Sequence, residues 1–283
     1  MMFMLPLFFL SCDKESNEII VEELDPSNDV QASILEIIDQ TGDKGIPFPE
    51  GAKAFDNGDG SVTIKLFEGY KFVLLEEGTS KMLPPVEEVG VTCTCNKGSG
   101  GCSPVKAKGS YYCVMNDNCS NCTKSTSSAN RAVKIIGVYN PEMAISFISK
   151  TNDVKGLKSA LYTQQEAVYG NFFPELLELE EVKSSLLELY NAIYSDNIPE
   201  FVLNNSNKIP KGYSYVKVNI YGNEAVIPVP NEYVDENMSA LPPEEEVGGV
   251  SCKCNKGKGC KLDSMLGVKY CNAGNCTSCT LKD

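Results

Sequence analysis

Twelve of the thirteen cysteines in this 283-residue chain fall into two sets of six. Cys93, Cys95, Cys102, Cys113, Cys119 and Cys122 form the first set; Cys252, Cys254, Cys260, Cys271, Cys276 and Cys279 form the second. The spacings are C-x-C-x6-C-x10-C-x5-C-x2-C and C-x-C-x5-C-x10-C-x4-C-x2-C, and both sets open with Cys-x-Cys-Asn-Lys-Gly. Thiols so placed support three chemistries: pairwise oxidation, metal ligation as thiolates, or exchange with an outside disulfide. Each set spans about thirty residues with few large apolar side chains, too few to bury a core unaided. Something covalent or metallic must substitute, and an even six per set favours disulfides. Spacing does not choose the pairing, although bridges inside Cys93-x-Cys95 and Cys252-x-Cys254 would strain the backbone. The alternative is a four-thiolate zinc site in each set, from Cys93, Cys95, Cys119 and Cys122 and from Cys252, Cys254, Cys276 and Cys279. The Cys119-x2-Cys122 and Cys276-x2-Cys279 pairs lie among polar residues rather than at a helix start, so a structural use is expected over a redox one.

Composition removes whole classes of activity. The chain has no histidine and no tryptophan. Without histidine there is no Ser-His-Asp or Cys-His catalysis, and the commonest general base and metal ligand are both gone. An enzyme is not expected. The formal charge is −13, from 38 acidic against 25 basic residues. Such a surface repels phosphate backbones, so nucleic acid is not an expected partner. Lys253, Lys256, Lys258 and Lys261 make the second set locally basic.

Residues 1–11 are apolar and uncharged. That run is too short to span a bilayer but has the length of a signal-peptide core. It ends in Phe9-Leu10-Ser11-Cys12 and turns abruptly polar at Asp13-Lys14-Glu15-Ser16. The ending resembles the lipobox of bacterial lipoproteins. The resemblance implies cleavage before Cys12 and acylation of that residue, palmitate included, giving an envelope protein anchored by lipid, with the outer membrane as expected site. Acyl chains buried at about 0.8 kcal/mol per methylene make such an anchor firm. An exported chain also meets oxidising conditions, in which the remaining twelve cysteines close into bridges.

The elements that must position the cysteines repeat as well. Val62, Ile64 and Leu66 alternate, Glu68-Gly69 turns and Tyr70 to Leu75 returns, which predicts a hairpin. Val216, Val218 and Ile220, the turn Tyr221-Gly222-Asn223 and Ala225 to Val229 predict a second. A Leu-Pro-Pro acidic connector leads from each hairpin to its cysteines. The division read from this is a signal peptide at 1–11, a flexible acidic tether at 12–29, a first unit at 30–124 with its module at 93–122, a Ser/Thr-rich linker at 125–131, and a second unit at 132–283 with its module at 252–279. Helices are predicted over Val30–Gln40, from Asn140-Pro141 to about Lys150, over 153–169 and over 172–194, and a turn at Asp56–Gly60. The fold class is α+β: two hairpin-plus-disulfide-module repeats separated by a helical insert. The expected function is non-catalytic binding or adhesion at the envelope, with two disulfide-knotted modules offered to a glycan, peptide or protein partner and gaining avidity from being linked. No cofactor is expected on that reading; zinc is the cofactor of the alternative.

Overall fold

The computed structural model describes residues 17–20, 22–41, 45–49, 51–107, 109–115, 118–151, 162–163, 172–195, 197–204, 209–241, 250–254, 257–274, 276 and 279–282. Of the described residues 50% are strand and 17% helix, α+β in kind but mainly β. In chain order the first strands are β1 (Asn17–Ile19), β2 (Ile46–Pro47), β3 (Lys53–Asp56), β4 (Ser61–Lys65), β5 (Lys71–Glu76), β6 (Met82–Val86) and β7 (Glu88–Gly98). β8 (Cys102–Ala107), β9 (Ser110–Met115), β10 (Cys119–Ser128) and β11 (Arg131–Tyr139) complete the first half. The second holds β12 (Ile145–Ile148), β13 (Tyr162–Thr163), β14 (Tyr213–Ile220), β15 (Asn223–Pro230) and β16 (Ala240–Leu241). It closes with β17 (Ser251–Cys254), β18 (Lys261–Met265), β19 (Val268–Asn272) and β20 (Cys279–Lys282). The helices are α1 (Asp29–Thr41), α2 (Glu180–Tyr194) and α3 (Glu200–Leu203).

An eight-stranded sheet runs β1-β3-β4-β7-β10-β11-β5-β6, and a seven-stranded sheet runs β13-β12-β14-β15-β19-β18 with β16 beside β14. β2, β9 and β8 form a three-stranded sheet, and β17 pairs with β20. β5 explains how the two large sheets share a molecule. Its residues are apolar on both faces: Phe72 and Leu74 enter one core, Val73 and Leu75 another. A strand of that kind must be covered on both sides. It therefore lies between β11 and β6 rather than beside β4, so the predicted first hairpin does not form. β4 pairs instead with β3 and β7. The second hairpin does form, β14 against β15, closing at Ile220 and Asn223.

The first core joins Ile64, Val89 and Val91 to Phe72, Leu74 and Val133, with Tyr111 from the three-stranded sheet. The second packs Val182, Leu186, Tyr190 and Ile193 of α2 onto Val216, Val218, Ile220, Ala225 and Ile227 of the hairpin. The buried face of α2 is its apolar one. The predicted helix at 172–194 is broken, however: a 3-10 turn covers Pro174–Glu178, and extended Leu179 separates it from α2. α1 matches its prediction, with Asn28 Oδ1 accepting hydrogen bonds from the Val30 and Gln31 amides as an N-cap.

Other expectations need correction. The segment after Asn140 is not helical; Asn140 Oδ1 accepts from the Glu142 amide, and alternating Ile145, Phe147 enter the sheet as β12 beside β14. The linker at 125–131 is the end of β10 and its turn into β11, with Ala129 and Asn130 at positive φ. The tether is held from Asn17 onward: β1 pairs with β3, Lys53 meets Glu18 at 2.9 Å and Lys106 meets Glu23 at 3.5 Å. Leu83-Pro84-Pro85-Val86 is no free connector but the edge strand β6, where proline's missing donor costs nothing. The second connector, and most of the helix predicted at 153–169, lie outside the described residues; Tyr162 and Thr163 are strand. The turn at Asp56–Gly60 is present, Asp56 Oδ1 accepting from Gly58 N and Asp59 Oδ1 from Ser61 N.

Candidate functional site: two disulfide modules

All twelve cysteines of the two sets are bridged, and in the same order. The first pairs with the fourth, the second with the fifth and the third with the sixth: Cys93–Cys113, Cys95–Cys119 and Cys102–Cys122. The second module repeats this as Cys252–Cys271, Cys254–Cys276 and Cys260–Cys279. No bridge joins the two cysteines of either Cys-x-Cys. Backbone pairing brings the cysteine-bearing strands together, although no bonded pair sits directly opposite in a ladder. β7 runs antiparallel to β10 and β8 to β9, so Cys95 faces Cys122 across one ladder and Cys102 faces Met115 across the other. β17 against β20 and β18 against β19 reproduce the scheme, with Cys254 facing Cys279. In a Cys-x-Cys both side chains leave one face of a strand, so neither closes on its neighbour and each reaches onward.

The middle and last bridges of each module touch. Cys102 and Cys119 sulfurs lie 3.8 Å apart. Ligand atoms of Cys102, Cys119 and Cys122, and of Cys254, Cys260 and Cys276, fall within 4.8 Å of one another. These are not the four-cysteine zinc sets expected from the spacing. In each module the gathered trio crosses two bridges, and Cys93 and Cys252 stand outside it.

The modules differ in how they are seated. Cys271, Cys276 and Cys279 are buried and share a core with Tyr215, Val226, Leu241, Val250 and Leu281. All six cysteines of the first module are half-buried, so its bridges lie near the surface. Beside them an open cavity of ≈390 Å³ is lined by Ile38 of α1, by Tyr112, Cys113, Val114 and Met115 of β9, and by Ser120 to Lys124 of β10. It combines an aromatic ring, two bridge halves, aliphatic wall and short polar side chains, the mixture small-ligand sites use.

Several residues that shape the site carry no sequence motif. Lys269, beside Cys271 in β19, is buried over the Tyr215 ring at 5.9 Å, and desolvation pushes its ammonium below the usual lysine range. The two sheets meet where the β14–β15 turn docks on a bulge of β11. There Val138 N donates to Tyr221 O at 3.0 Å, and the fully buried Asn223 donates from Nδ2 to Ile136 O at 2.8 Å. Gly137 makes that approach possible, since a Cβ would sit 2.6 Å from the Tyr221 carbonyl oxygen. The Tyr221-Gly222-Asn223 turn was the only signal available. Of the lysines noted in the sequence, Lys253, Lys258 and Lys261 are exposed, and Lys256 lies outside the described residues. So does Cys12. Among the described residues no helix is long and apolar enough to cross a membrane. No family model matches the chain, and neither the curated proteins nor the solved structures contain a significant match to it.

Proposed function

We propose that this is a lipid-anchored envelope protein without catalytic duty, which meets a glycan, peptide or protein partner through disulfide-closed modules that arose by duplication. The observation that carries the reading is the shared bridge order of two sequence-matched modules. Bridges consume the thiols that redox or thiolate chemistry would need, and leave rigid lobes whose use is recognition. The first module is the one placed to make contact. Its sulfurs are near the surface and the ≈390 Å³ cavity opens beside them. The second, whose bridges share a core with the hairpin, supports the sheet. Anchoring rests on the resemblance of Phe9-Leu10-Ser11-Cys12 to a lipobox.

The test has two arms. Labelled palmitate should enter the wild-type chain in bacteria and be absent from Cys12→Ser. On glycan and peptide arrays the oxidised protein should retain a discrete set of ligands. Asn121→Ala and Lys124→Ala, on the cavity wall, should weaken that retention at least tenfold. Retention of nothing, or retention indifferent to both variants, would sink the binding assignment.

A further inference from the structure

The sulfurs of the first module are packed so that a thiolate freed from one bridge lies against the next. Cys102 Sγ stands 3.8 Å from Cys119 Sγ, although each is bonded elsewhere, Cys102 to Cys122 and Cys119 to Cys95. The Cys102, Cys119 and Cys122 sulfurs all fall within 4.8 Å of one another. Cys95, the fourth member of these two bridges, is the direct partner of Cys122 in the β7–β10 ladder. Directly opposed residues of an antiparallel pair have Cα atoms about 4.5–5.5 Å apart, inside the range a disulfide spans. Two pairings of the same four cysteines are therefore within reach: the observed one, and Cys95–Cys122 with Cys102–Cys119. Both tie β10 once to β7 and once to β8, so neither leaves a strand unfastened.

Access selects where exchange begins. All six cysteines of the module are bridged, so the first thiolate must come from outside. Cys122 lines the ≈390 Å³ cavity, and Lys124 on the same wall brings a positive charge that favours an approaching thiolate. Attack on Cys122 releases Cys102, the sulfur that already lies beside Cys119. Cys113 lines the cavity too, but attack there releases Cys93, which stands outside the gathered trio, and that thiolate returns to Cys113.

We propose that the first module is a thiol-exchange site, at which a small thiol entering the cavity converts one bridge pairing into the other. The outside thiol gives its proton to water, and its thiolate attacks Cys122 Sγ. A mixed disulfide forms there, the Cys102–Cys122 bond breaks, and Cys102 leaves with the electron pair. Cys102 then attacks Cys119, forming Cys102–Cys119, and Cys95 leaves as a thiolate. Cys95 attacks Cys122 across the ladder, closing Cys95–Cys122 and expelling the outside thiolate, which regains its proton. The sum is redox-neutral: the small thiol is returned, and the module keeps three bridges. The links have moved along β10, so the cavity wall at Cys122 is tied to a different strand. The second module repeats the geometry, with Cys254, Cys260 and Cys276 gathered and Cys254 opposite Cys279. Its Cys271, Cys276 and Cys279 are buried, which slows entry of a thiol. The exchange does not rest on the binding role, since it needs no ligand in the cavity.

Bridge mapping on the full oxidised chain decides the matter. The protein is held under argon with reduced glutathione at a small fraction of its own concentration, quenched with acid and digested unreduced. Electron-transfer fragmentation then separates Cys119 from Cys122 and Cys93 from Cys95. Peptides joined as Cys95–Cys122 and Cys102–Cys119 are expected to appear together and in equal amount, with no rise in free thiol. The second module should exchange at least about tenfold more slowly. Unchanged pairing in the first module would overturn the proposal. So would equal rates in the two modules, or scattered pairings that include Cys93 and Cys113. Cys95→Ser gives a second reading that needs no outside thiol. It leaves Cys119 unpaired beside Cys102, so Cys102–Cys119 should form with the free thiol at Cys122. A thiol found solely at Cys119 would also contradict the exchange, and the wild-type arm decides if this variant does not fold.

Discussion

Gly137 and Asn223 show how much of this structure hangs on single atoms. Adding one methyl group at Gly137 sets a carbon 2.6 Å from the Tyr221 carbonyl oxygen, a backbone atom that cannot rotate away. Gly137→Ala should therefore cost about 1–3 kcal/mol in urea denaturation. Asn223→Ala removes the buried bond to Ile136 O and should cost a similar amount, about 1–3 kcal/mol. Because both act on one junction, the double variant should lose less than their sum. Buried phenols give a second prediction at this scale. Tyr270 is pushed up to about 12 by burial, then by Asp263 and Glu175; Tyr111, Tyr190, Tyr194, Tyr215 and Tyr221 are raised further, burial again being the first cause. An unfolded tyrosine ionises near pH 10, so the unfolded state alone gains from losing the proton above that pH. Stability should be level up to about pH 10 and fall steadily from there to about pH 12. Phenolate absorbance appearing in step with unfolding, rather than before it, is the expected result.

Elements reveal where sequence reading succeeds and where it stops. The β14–β15 hairpin, α1 and α2 were legible because each shows its period. β5 was not. Phe72, Val73, Leu74 and Leu75 are buried on both faces, which erases alternation, and partner choice was left to the nearest strand in sequence. β10 hid for the opposite reason. Its run Thr123-Lys124-Ser125-Thr126-Ser127-Ser128 is polar throughout, yet it pairs along β7 from Gly90 to Gly98. Composition alone reads such a segment as linker. The bridges differ between modules in a way that can be measured. With rising dithiothreitol, followed by alkylation and mass spectrometry, Cys102–Cys122 and its neighbours should open before Cys252–Cys271, whose Cys271 is 3% exposed. Replacing Cys102 and Cys122 together by serine opens a loop of sequence separation 20 and should cost about 3 kcal/mol.

At the scale of the whole molecule, the pattern of twelve cysteines was readable and their connectivity was not, because pairing depends on which strands become neighbours. Two ladders per module, β7 with β10 and β8 with β9, then β17 with β20 and β18 with β19, supply that information. The segments upstream, similar in sequence, are not matched in pairing: β4 pairs with β7, whereas β14 pairs with β15. The anchor proposed at Cys12 would hold the folded part by β1, which begins at Asn17 and is stitched to β3. On that proposal β1 would lie close to the membrane surface. The state of the sulfurs separates closed bridges from thiolate metal sites. Native protein should be digested without reduction after its free thiols and bound metal have been counted. The result expected is no free thiol among the twelve module cysteines, no stoichiometric zinc, and six bridges joining first to fourth, second to fifth and third to sixth in both modules. About eight free thiols accompanied by about two zinc ions would contradict it, since two four-thiolate sites would account for both numbers.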